Sequence, residues 1–315
     1  MFTQPFHWLV TGGAGFIGSH LVKELVRQGQ HVTVLDNLCD GKLENLALVK
    51  DKITFIKADI CDFSALLTAC VGVDYVVHLA ALISVAQSMA HPQQTAITNV
   101  QGTANVLEAA KRCGVKRVVF SSSAAVYGTR PELPYKEDTP VDCQSPYAWS
   151  KQAGEELCKL YTQVYGLETV VLRCFNVFGL GQSPHAAYAA VIAKFMQLAA
   201  ENKPLSIDWD GLQSRDFIGV SDVVQANLLA VIKGTPGEIY NVASGRTYTL
   251  LELADTIEKI SGRKLARVSR PKRPGDVHES SADISKMKAL GYKPTVTLEE
   301  GLRTMWAENV KNGIV

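Results

Sequence analysis

A glycine-rich segment near the start of the chain constrains the fold more than any other feature of the sequence. The residues from Thr11 to Gly18 read Thr-Gly-Gly-Ala-Gly-Phe-Ile-Gly, and they lie between an apolar run and an amphipathic run. This order predicts a strand, a tight turn and a helix. Gly12 permits the turn, Gly15 lets the backbone approach a pyrophosphate, and Gly18 lets the helix pack closely while its N-terminal amides face the phosphates. The segment therefore predicts a dinucleotide-binding site.

An acidic residue follows at the end of the second predicted strand. Asp36 closes the apolar run His31–Leu35, about the spacing from the glycines at which a carboxylate reaches the adenosine ribose diol. Asn37 and Leu38 come next, where a protein that binds a 2′-phosphate more often carries arginine. Asp36 would repel that phosphate unopposed. We therefore expect NAD rather than NADP.

Apolar and amphipathic runs alternate through the first half of the chain. The alternation predicts a parallel sheet with helices on both faces, a doubly wound α/β fold of the Rossmann type. Ligands of such a sheet lie at the carboxyl ends of its strands. Strands are predicted at 6–10, 31–35, 53–58, 75–79, 118–120 and 169–173, and helices at 17–28, 63–70, 92–113 and 146–165.

The alternation breaks after Gly179. A helix and a short strand there predict a smaller second lobe, whereas two later apolar runs predict strands that return to the main sheet. The first two elements are predicted at 188–201 and 205–208, the returning strands at 216–220 and 238–243, and two final helices at 250–261 and 298–311. We expect an NAD-binding domain over 1–179, with returns near 214–246, interlaced with a mainly substrate-binding C-terminal lobe over 180–315.

The composition argues against nucleic-acid and membrane partners. The chain has 32 Lys and Arg against 31 Asp and Glu, so its net charge of +1 gives no general attraction to nucleic acid or anionic lipid. Its longest apolar run, 73–86, is interrupted by Asp74 and His78 and falls short of the ~20 residues that span a bilayer. No basic start with an apolar segment marks an export signal. We therefore expect a cytoplasmic protein.

The cysteines and histidines predict neither disulfides nor a metal site. The seven cysteines form no Cys-x-x-Cys pair and lie mostly in apolar or helical patterns, which is typical of reduced core residues. The seven histidines are scattered, without the short spacings that metal ligands need. We expect no metal.

One Tyr-x-x-x-Lys sequence, Tyr147–Lys151, follows Ser145 and Pro146 at a natural helix start. Four residues apart, the two side chains share one face of a helix. A nearby ammonium favours the phenolate of a tyrosine, whose ordinary pKa is ~10, so the pair can supply a base near neutral pH. The alternative is an ordinary Tyr and Lys on an exposed helix.

Three hydroxyl side chains, Ser121 to Ser123, end the apolar strand that contains Phe120. They suit a sugar hydroxyl better than they suit packing, and Ser123 is the best candidate for that contact. The alternative is a serine turn of the kind common at strand ends. The glycine turn, the serines and the Tyr-x-x-x-Lys motif, in that order, together favour the functional interpretation.

These motifs resemble those of nucleotide-sugar 4-epimerases in the extended short-chain dehydrogenase/reductase family, in which the Gly-x-x-Gly-x-x-Gly spacing is typical. The resemblance extends over nearly the whole chain, through 11–18, 78–81, 121–123, 147–151, 173–179, 215–217 and 273–276. It implies a Rossmann-type sheet, NAD as cofactor and a UDP-sugar as substrate. It also implies a homodimer that meets through the helices near Asn99 and Glu156.

The resemblance further implies the chemistry. Tyr147 would take the proton of the sugar 4-hydroxyl while C4 gives its hydride to NAD. Lys151 would tune Tyr147 and hold the nicotinamide ribose, and Ser123 would hydrogen-bond the 4-oxygen. The 4-keto sugar would then turn within the site and receive the hydride on its other face.

By the same resemblance, the site residues divide into two groups. NAD would contact Gly12, Gly15, Phe16, Ile17, Gly18, Asp36, Asn37, Leu38, Gly41, Asp59, Ile60, Leu79, Ala80, Ala81, Asn99, Ser121, Tyr147, Lys151, Phe175 and Val177. The UDP-sugar would contact Ser84, Ser122, Ser123, Tyr147, Asn176, Ala190, Val191, Arg215, Arg273, Asp276 and Ser280. The two arginines would offer planar forks to the diphosphate.

Other functions share this fold. Nucleotide-sugar 4,6-dehydratases and decarboxylases place a carboxylate after strand five, whereas residues 122–128 contain neither Asp nor Glu. Because a dehydratase must expel the C6 hydroxyl with acid and base assistance, the missing acid argues against it. A non-catalytic NAD-binding redox sensor would typically lose Tyr147 or Lys151, and this chain keeps both.

Ser280 bears on the choice of sugar. Related epimerases restricted to glucose and galactose carry a bulky aromatic residue at this position, four residues after the aspartate that corresponds to Asp276. The small side chain would leave room for a 2-acetamido group, so the resemblance favours UDP-N-acetylglucosamine and UDP-N-acetylgalactosamine over UDP-glucose and UDP-galactose. Leu180 and Gly181 stand where many relatives carry a cation, which argues against an acidic sugar; a UDP-uronic acid stays an alternative.

Overall fold

The computed structural model describes residues 4–182, 191–272 and 278–311. Its strands are β1 (His7–Thr11), β2 (His31–Asp36), β3 (Ile53–Lys57), β4 (Tyr75–His78), β5 (Arg117–Ser123), β6 (Glu168–Cys174), β7 (Asn176–Phe178), β8 (Leu205–Asp208), β9 (Ser214–Gly219), β10 (Ile239–Val242), β11 (Thr247–Thr249), β12 (Arg267–Arg270) and β13 (Glu279–Ser280). Its α-helices are α1 (Phe16–Arg27), α2 (Phe63–Ala69), α3 (Val85–Ala90), α4 (Pro92–Thr95), α5 (Gly102–Arg112), α6 (Pro146–Tyr165), α7 (Val191–Ala200), α8 (Val220–Lys233), α9 (Leu250–Ser261), α10 (Ser285–Ala289) and α11 (Leu298–Lys311).

The main sheet has seven strands in the order β10-β6-β5-β4-β1-β2-β3. Every neighbouring pair in it is parallel. The winding reverses between β1 and β4, so the carboxyl ends of these two strands open the crevice in which sheets of this kind bind ligands. The prediction of a doubly wound parallel sheet is confirmed.

Side chains alternate between the two faces of this sheet and build an apolar core on each. On one face Trp8 and Val10 pack in a core that includes residues of α1 and α8. On the other face Leu9, Val118 and Phe120 pack with residues of α2, α5 and α6. A strand buried on both faces requires this pattern. The two cores therefore hold α1 and α6, which carry the glycine motif and the Tyr-x-x-x-Lys motif, against the sheet.

A third core lies among α7, α9 and α11. Beside it, β9 pairs with β7, β11 and β13, while β12 pairs with β8. The prediction that the strand at 216–220 returns to the main sheet is therefore wrong, and of the two predicted returns only β10 joins that sheet. An apolar run indicates burial without showing which strand is its partner. The division of the chain at residue 179 stays a prediction.

The helices near the site lie close to their predicted positions. α6 spans Pro146–Tyr165 as predicted, and the Ser145 hydroxyl caps it by accepting a hydrogen bond from the Ala148 amide at 3.1 Å. The predicted helix at 92–113 is divided into α4, a π-helical turn over Ala96–Gln101, and α5. Within the described ranges, every helix is too short or too polar to cross a membrane.

Candidate active site

The glycine turn between β1 and α1 brings bare backbone against the end of β4. Gly12 has a φ of +70°, a left-handed conformation that favours glycine, and a Cβ there would lie 2.7 Å from the Ala80 nitrogen. A Cβ on Gly18 would overlap the Gly12 carbonyl oxygen. Gly15 is the N-cap of α1, and neither a side-chain cap nor an acidic residue occupies the first turn. The amides of that turn are therefore available to an anion such as a pyrophosphate.

The carboxylate of Asp36 lies beside this turn at the end of β2. It is buried and accepts hydrogen bonds from the amides of Ala14 at 2.9 Å and Leu38 at 2.8 Å. Because a carboxylate accepts about four hydrogen bonds, capacity remains for a ribose diol. A Cβ on Gly41 would lie 2.9 Å from Asp36 Oδ1, so glycine keeps that edge of the carboxylate open. The turn and the carboxylate fit the pyrophosphate and adenosine ribose of NAD.

Asp59 organises the loops that follow β2 and β3. Its Oδ2 accepts a hydrogen bond from Asn37 Nδ2 at 2.7 Å, and its Oδ1 accepts one from the Cys61 amide at 2.8 Å. Ile60 is buried against α5, where a Cβ on Gly102 would lie 2.5 Å from the Ile60 side chain. These contacts fix the predicted adenosine end of the NAD site.

The three predicted catalytic residues meet where β5 ends and α6 begins. Lys151 Nζ donates a hydrogen bond to the Ser121 carbonyl at 2.7 Å, and the Ser123 side chain lies near enough to the Tyr147 hydroxyl to lower its pKa. The Tyr147 amide donates to the Ser88 hydroxyl at 3.1 Å, which positions the first turn of α6. The structure therefore brings together a phenol, an ammonium and a hydroxyl, the groups that the predicted proton transfer needs.

Burial dominates the electrostatics of this cluster. It lowers the pKa of Lys151 to about 8, and nearby Cys174 and Glu155 oppose that change. It raises the pKa of Tyr147, and the nearby Ser123 side chain offsets that change only in part. In the protein alone, removal from water thus disfavours the phenolate of Tyr147. The supply of a base near neutral pH by the pair of Tyr147 and Lys151 stays a prediction.

Ser122 faces the interior, not a substrate. It is 3% exposed, and its hydroxyl donates to Glu155 Oε1 at 2.5 Å. Arg173 binds the same carboxylate, from Nη2 to Oε2 at 2.7 Å and from Nε to Oε1 at 2.9 Å. The predicted contact of the Ser122 side chain with substrate is therefore corrected, because this side chain is turned towards α6 and is enclosed there by Glu155.

Asn99 is enclosed by protein. Its amide nitrogen donates to the Leu82 carbonyl at 2.9 Å and to the Ser150 hydroxyl at 3.0 Å, and its oxygen accepts from the Leu82 amide at 2.8 Å. It therefore fixes the loop after β4, in which Leu79, Ala80 and Ala81 precede Leu82. Its contact with NAD stays a prediction.

Predicted substrate residues of the second lobe gather around β9. Arg215 lies opposite Ser280 in the parallel pairing of β9 with β13. Paired residues of neighbouring strands place their side chains on the same face of a sheet. Asn176 on β7 donates from its side chain to the Asp216 carbonyl at 3.3 Å. The sheet therefore brings Asn176, Arg215 and Ser280 to one region.

The remaining predicted residues lie at the ends of elements around the crevice. The Ser84 hydroxyl caps α3 by accepting from the Gln87 amide at 3.1 Å. Phe16 and Ile17 form the first turn of α1, Phe175 lies between β6 and β7, Val177 lies within β7, and Val191 begins α7. Ala190, Arg273 and Asp276 lie outside the described residues. Among the residues that are described, no three His, Cys, Asp or Glu side chains are arranged to hold a metal ion.

Comparison with known proteins agrees with this geometry. Residues 8–243 match the NAD dependent epimerase/dehydratase family. The chain belongs to this family. A putative UDP-glucose 4-epimerase of Methanocaldococcus jannaschii is 39% identical over 307 residues, which cover 96% of this chain and 98% of that protein.

Solved structures of the epimerase/dehydratase family show the same fold. The UDP-N-acetylglucosamine 4-epimerase of Methanobrevibacter ruminantium, in complex with UDP-N-acetylmuramic acid, is 38% identical, with a TM-score of 0.95 over 98% of this chain and 100% of that chain. The UDP-glucose 4-epimerase of Thermus thermophilus, in complex with NAD, is 36% identical, with a TM-score of 0.88 over 96% of this chain and 98% of that chain. The predictions of NAD as cofactor and of an isomerase are confirmed.

Glu155 is a residue of this family member that the sequence analysis missed. It lies four residues after Lys151 and eight after Tyr147, so the three side chains share the inward face of α6. The sequence did contain an indication of this residue. The small neighbours Gly154 and Cys158 suggest that this part of α6 is buried, and a carboxylate at a buried position requires a partner.

Proposed function

We propose that this epimerase/dehydratase family member interconverts UDP-N-acetylglucosamine and UDP-N-acetylgalactosamine by NAD-dependent epimerisation at C4. The observation that carries the proposal is the cluster of Ser123, Tyr147 and Lys151 at the carboxyl end of the main sheet. A sugar held by the second lobe would meet the nicotinamide at this edge. Bound NAD supplies the chemistry of accepting a hydride from C4 and returning it.

Tyr147 would hold the proton that moves. Because its hydroxyl lies near the Ser123 side chain, a sugar 4-oxygen held by Ser123 would also reach the phenol oxygen. With a pKa of about 8, Lys151 is an ammonium at neutral pH, and its charge favours the phenolate. Tyr147 would thus accept the 4-hydroxyl proton as C4 is oxidised and return it when C4 is reduced.

The absence of a second acid in the described site favours epimerisation over dehydration. From Ser121 to Gly128 the chain carries neither Asp nor Glu. Glu155, on the facing helix, is 4% exposed, and its carboxylate is bound by Arg173 and Ser122, so it is enclosed by protein and does not face a leaving hydroxyl. Elimination of the C6 hydroxyl therefore lacks an acid, and a 4,6-dehydratase is the alternative that a product analysis tests.

The place of Ser280 supports an acetylated sugar. Because it lies opposite Arg215, a diphosphate held by Arg215 would bring the attached sugar close to Ser280. A serine leaves more room than an aromatic residue and offers a hydroxyl to a 2-acetamido group. The M. ruminantium relative, which is named for UDP-N-acetylglucosamine, supports the same choice.

We further propose a homodimer that works in the cytoplasm. Trp149, Leu160 and Val164 on the outer side of α6 are 50%, 45% and 61% exposed, and Ile97 on the adjacent π-helical turn is 41% exposed. These four side chains, here called the apolar stripe, give the outer side of α6 the composition of an interface. A second copy of the chain would bury them.

The substrate proposal is tested by product analysis. The purified protein is incubated separately with UDP-N-acetylglucosamine, UDP-glucose and UDP-glucuronate, and C4 epimers are quantified by proton NMR. We expect the acetylated sugar to be epimerised fastest. Turnover of UDP-glucose or UDP-glucuronate alone would contradict the acetylated substrate, and a 4-keto-6-deoxy product would contradict epimerisation itself.

Substitution at Ser280 tests the pocket. Ser280→Tyr fills the space assigned to the acetamido group, so we expect turnover of UDP-N-acetylglucosamine to fall about 100-fold while UDP-glucose turnover is kept. Ser280→Ala leaves the space open and should retain most acetylated turnover. Equal effects of Ser280→Tyr on both sugars would contradict the role of Ser280 in sugar choice.

A further inference from the structure

Behind the catalytic cluster lies a buried group of three polar side chains, Ser122, Glu155 and Arg173, here called the buried triad. They are 3%, 4% and 4% exposed. Arg173 binds both carboxylate oxygens of Glu155, at 2.7 and 2.9 Å, and the Ser122 hydroxyl donates to the same carboxylate at 2.5 Å. Ser122 and Arg173 are also paired residues of β5 and β6. The triad therefore joins two strands of the main sheet to α6.

Along β5, the Ser122 contact of the buried triad lies between two contacts that involve the catalytic residues. Three consecutive residues of β5 face α6 or its first turn: the Ser121 carbonyl accepts from Lys151, Ser122 donates to Glu155, and the Ser123 side chain lies near enough to the Tyr147 hydroxyl to lower its pKa. The middle contact is the buried one. Because a helix and a strand joined at three adjacent points cannot slide or rotate against each other, the middle contact restricts the outer two.

Arg173 is itself held from a second side. Its Nη1 donates to the Glu137 carbonyl at 3.1 Å, and its guanidinium lies 4.8 Å from the centroid of the Tyr127 ring. The Tyr127 hydroxyl in turn donates to Asn241 on β10 at 2.7 Å. The guanidinium is therefore fixed by groups outside α6, and it can serve as a reference point for the carboxylate of Glu155.

Stability alone gives a poor reason for burying these charges. Replacing a buried ion pair by apolar side chains of similar size is often neutral or stabilising, whereas removing one partner is strongly destabilising because the other charge is left buried and unpaired. The hydrogen bonds and ion pair of the buried triad are directional, however, and can fix the rotation of α6 about its axis, which apolar packing cannot do. Proton transfer depends on such geometry, since a misplacement of about 1 Å lowers rates by about 100-fold.

We propose that Ser122, Glu155 and Arg173 are positioning residues that set the rotation of α6 against the end of β5, so that Tyr147 meets Ser123 and Lys151 meets the Ser121 carbonyl. The proposal rests on the proposed function in taking Tyr147 as the group that moves the proton. It replaces the substrate contact predicted for Ser122.

The test separates positioning from stability. Glu155→Leu and Arg173→Met, made singly, each leave a buried charge unpaired and should lower the melting temperature. The combined variant Ser122→Ala/Glu155→Leu/Arg173→Met removes the whole buried triad, and we expect its melting temperature and NAD content to recover. We also expect KM within about twofold of wild type and kcat lower by about 10- to 100-fold. Recovery of kcat together with the melting temperature would overturn the proposal.

The chain offers a matched control at the other end of the same two strands. Arg117 on β5 donates to Glu168 on β6 at 2.6 and 2.9 Å, away from the carboxyl ends that carry the catalytic cluster. Arg117→Met/Glu168→Leu removes that pair and should leave kcat unchanged. A kcat loss as large as that of the combined triad variant would also overturn the proposal.

A second readout does not depend on folding of the combined variant or on turnover. Ser122→Ala removes one hydrogen bond and keeps the ion pair, and the pKa of Tyr147 is obtained from ultraviolet difference titration against the same protein carrying Tyr147→Phe. Ser123 lowers the pKa of the phenol and Cys174 raises it, so loss of the Ser123 contact should raise that pKa. An unchanged pKa of Tyr147 in Ser122→Ala would overturn the proposed positioning role. A wild-type protein that turns over no UDP-sugar would instead refute the proposed function and leave this pKa test unaffected.

Discussion

At the scale of single residues, the site depends on where one phenol oxygen lies. The Tyr-x-x-x-Lys spacing predicts that Tyr147 and Lys151 share a helix face, and the structure adds the contacts with Ser88, Ser121 and Ser123. The sequence predicts the pair but not the direction of the pKa change at Tyr147. That direction depends on burial, which arises from segments distant in the chain.

Removal of this oxygen is the most direct residue-scale prediction. Tyr147→Phe keeps the ring and its packing but removes the group that accepts the 4-hydroxyl proton, so we expect kcat to fall by about 100- to 10,000-fold. The amount of NAD that the variant releases on denaturation should match that of the wild-type protein. Tyr165→Phe, at the exposed end of the same helix, is the control and should keep full turnover. Retained turnover in Tyr147→Phe would refute the assigned base.

Alanine substitutions at Gly12 and Gly29 separate the effect of backbone strain from the effect of a clash with a neighbouring segment. Both have positive φ, +70° and +74°, but a Cβ on Gly12 would lie 2.7 Å from the Ala80 nitrogen, whereas nothing lies within 4 Å of one on Gly29. We expect Gly29→Ala to lower the free energy of unfolding by about 1 kcal/mol, and Gly12→Ala to lower it by more, because its Cβ would also overlap the backbone of Ala80. Only Gly12→Ala should also weaken NAD binding, measured by calorimetry. Equal NAD affinity in the two variants would contradict the close approach.

At the scale of elements, His78 joins three of them through a buried imidazole. On β4, its Nδ1 is 2.7 Å from Thr11 Oγ1 on β1, and its Nε2 is 3.0 Å from Thr103 Oγ1 on α5. The sequence predicts that His78 lies in a buried strand, but these partners come from segments 67 and 25 residues away. Burial lowers the pKa of His78 to about 3, so the imidazole is neutral in the folded protein.

This linkage predicts how acid affects the fold. The unfolded chain binds a proton at His78 below its ordinary pKa of ~6.5, and the folded chain does not until about 3, so the free energy of unfolding falls as the pH drops between these values. At pH 5 the loss from this residue should be about 2 kcal/mol relative to pH 7.5. Urea unfolding of wild type and His78→Gln at both pH values measures it. An identical pH dependence in the two proteins would contradict the burial of a neutral imidazole.

Elements with a local signal are predicted more accurately than those that depend on a partner. α6 and α9 end where their sequence patterns indicate, because caps and amphipathic spacing lie within the helix. β7 and β13 have three and two residues, too few to show a period, so the small sheet is not visible in the sequence. Without those partners, β9 is assigned to the wrong sheet.

At the scale of the whole molecule, the apolar stripe predicts association. Leu160→Glu/Val164→Glu places two charges in the proposed interface, so we expect a monomer by sedimentation velocity at concentrations where wild type is a dimer. Leu48→Glu, at a residue that is 85% exposed on another surface, should leave the dimer intact. A monomeric wild type, or a dimer that survives both charges, would contradict the proposed interface.

α6 carries the catalytic pair on one side and exposed apolar side chains on the opposite side. Its inward side carries Tyr147, Lys151 and Glu155, and its outward side carries most of the apolar stripe. The diameter of a helix, about 10 Å with side chains, is all that separates the two sides. A second copy that packs on the outward side would therefore contact the same helix backbone that positions the Tyr147 hydroxyl. Dilution below the concentration at which copies associate should consequently lower the turnover of each molecule, with no change in its covalent structure.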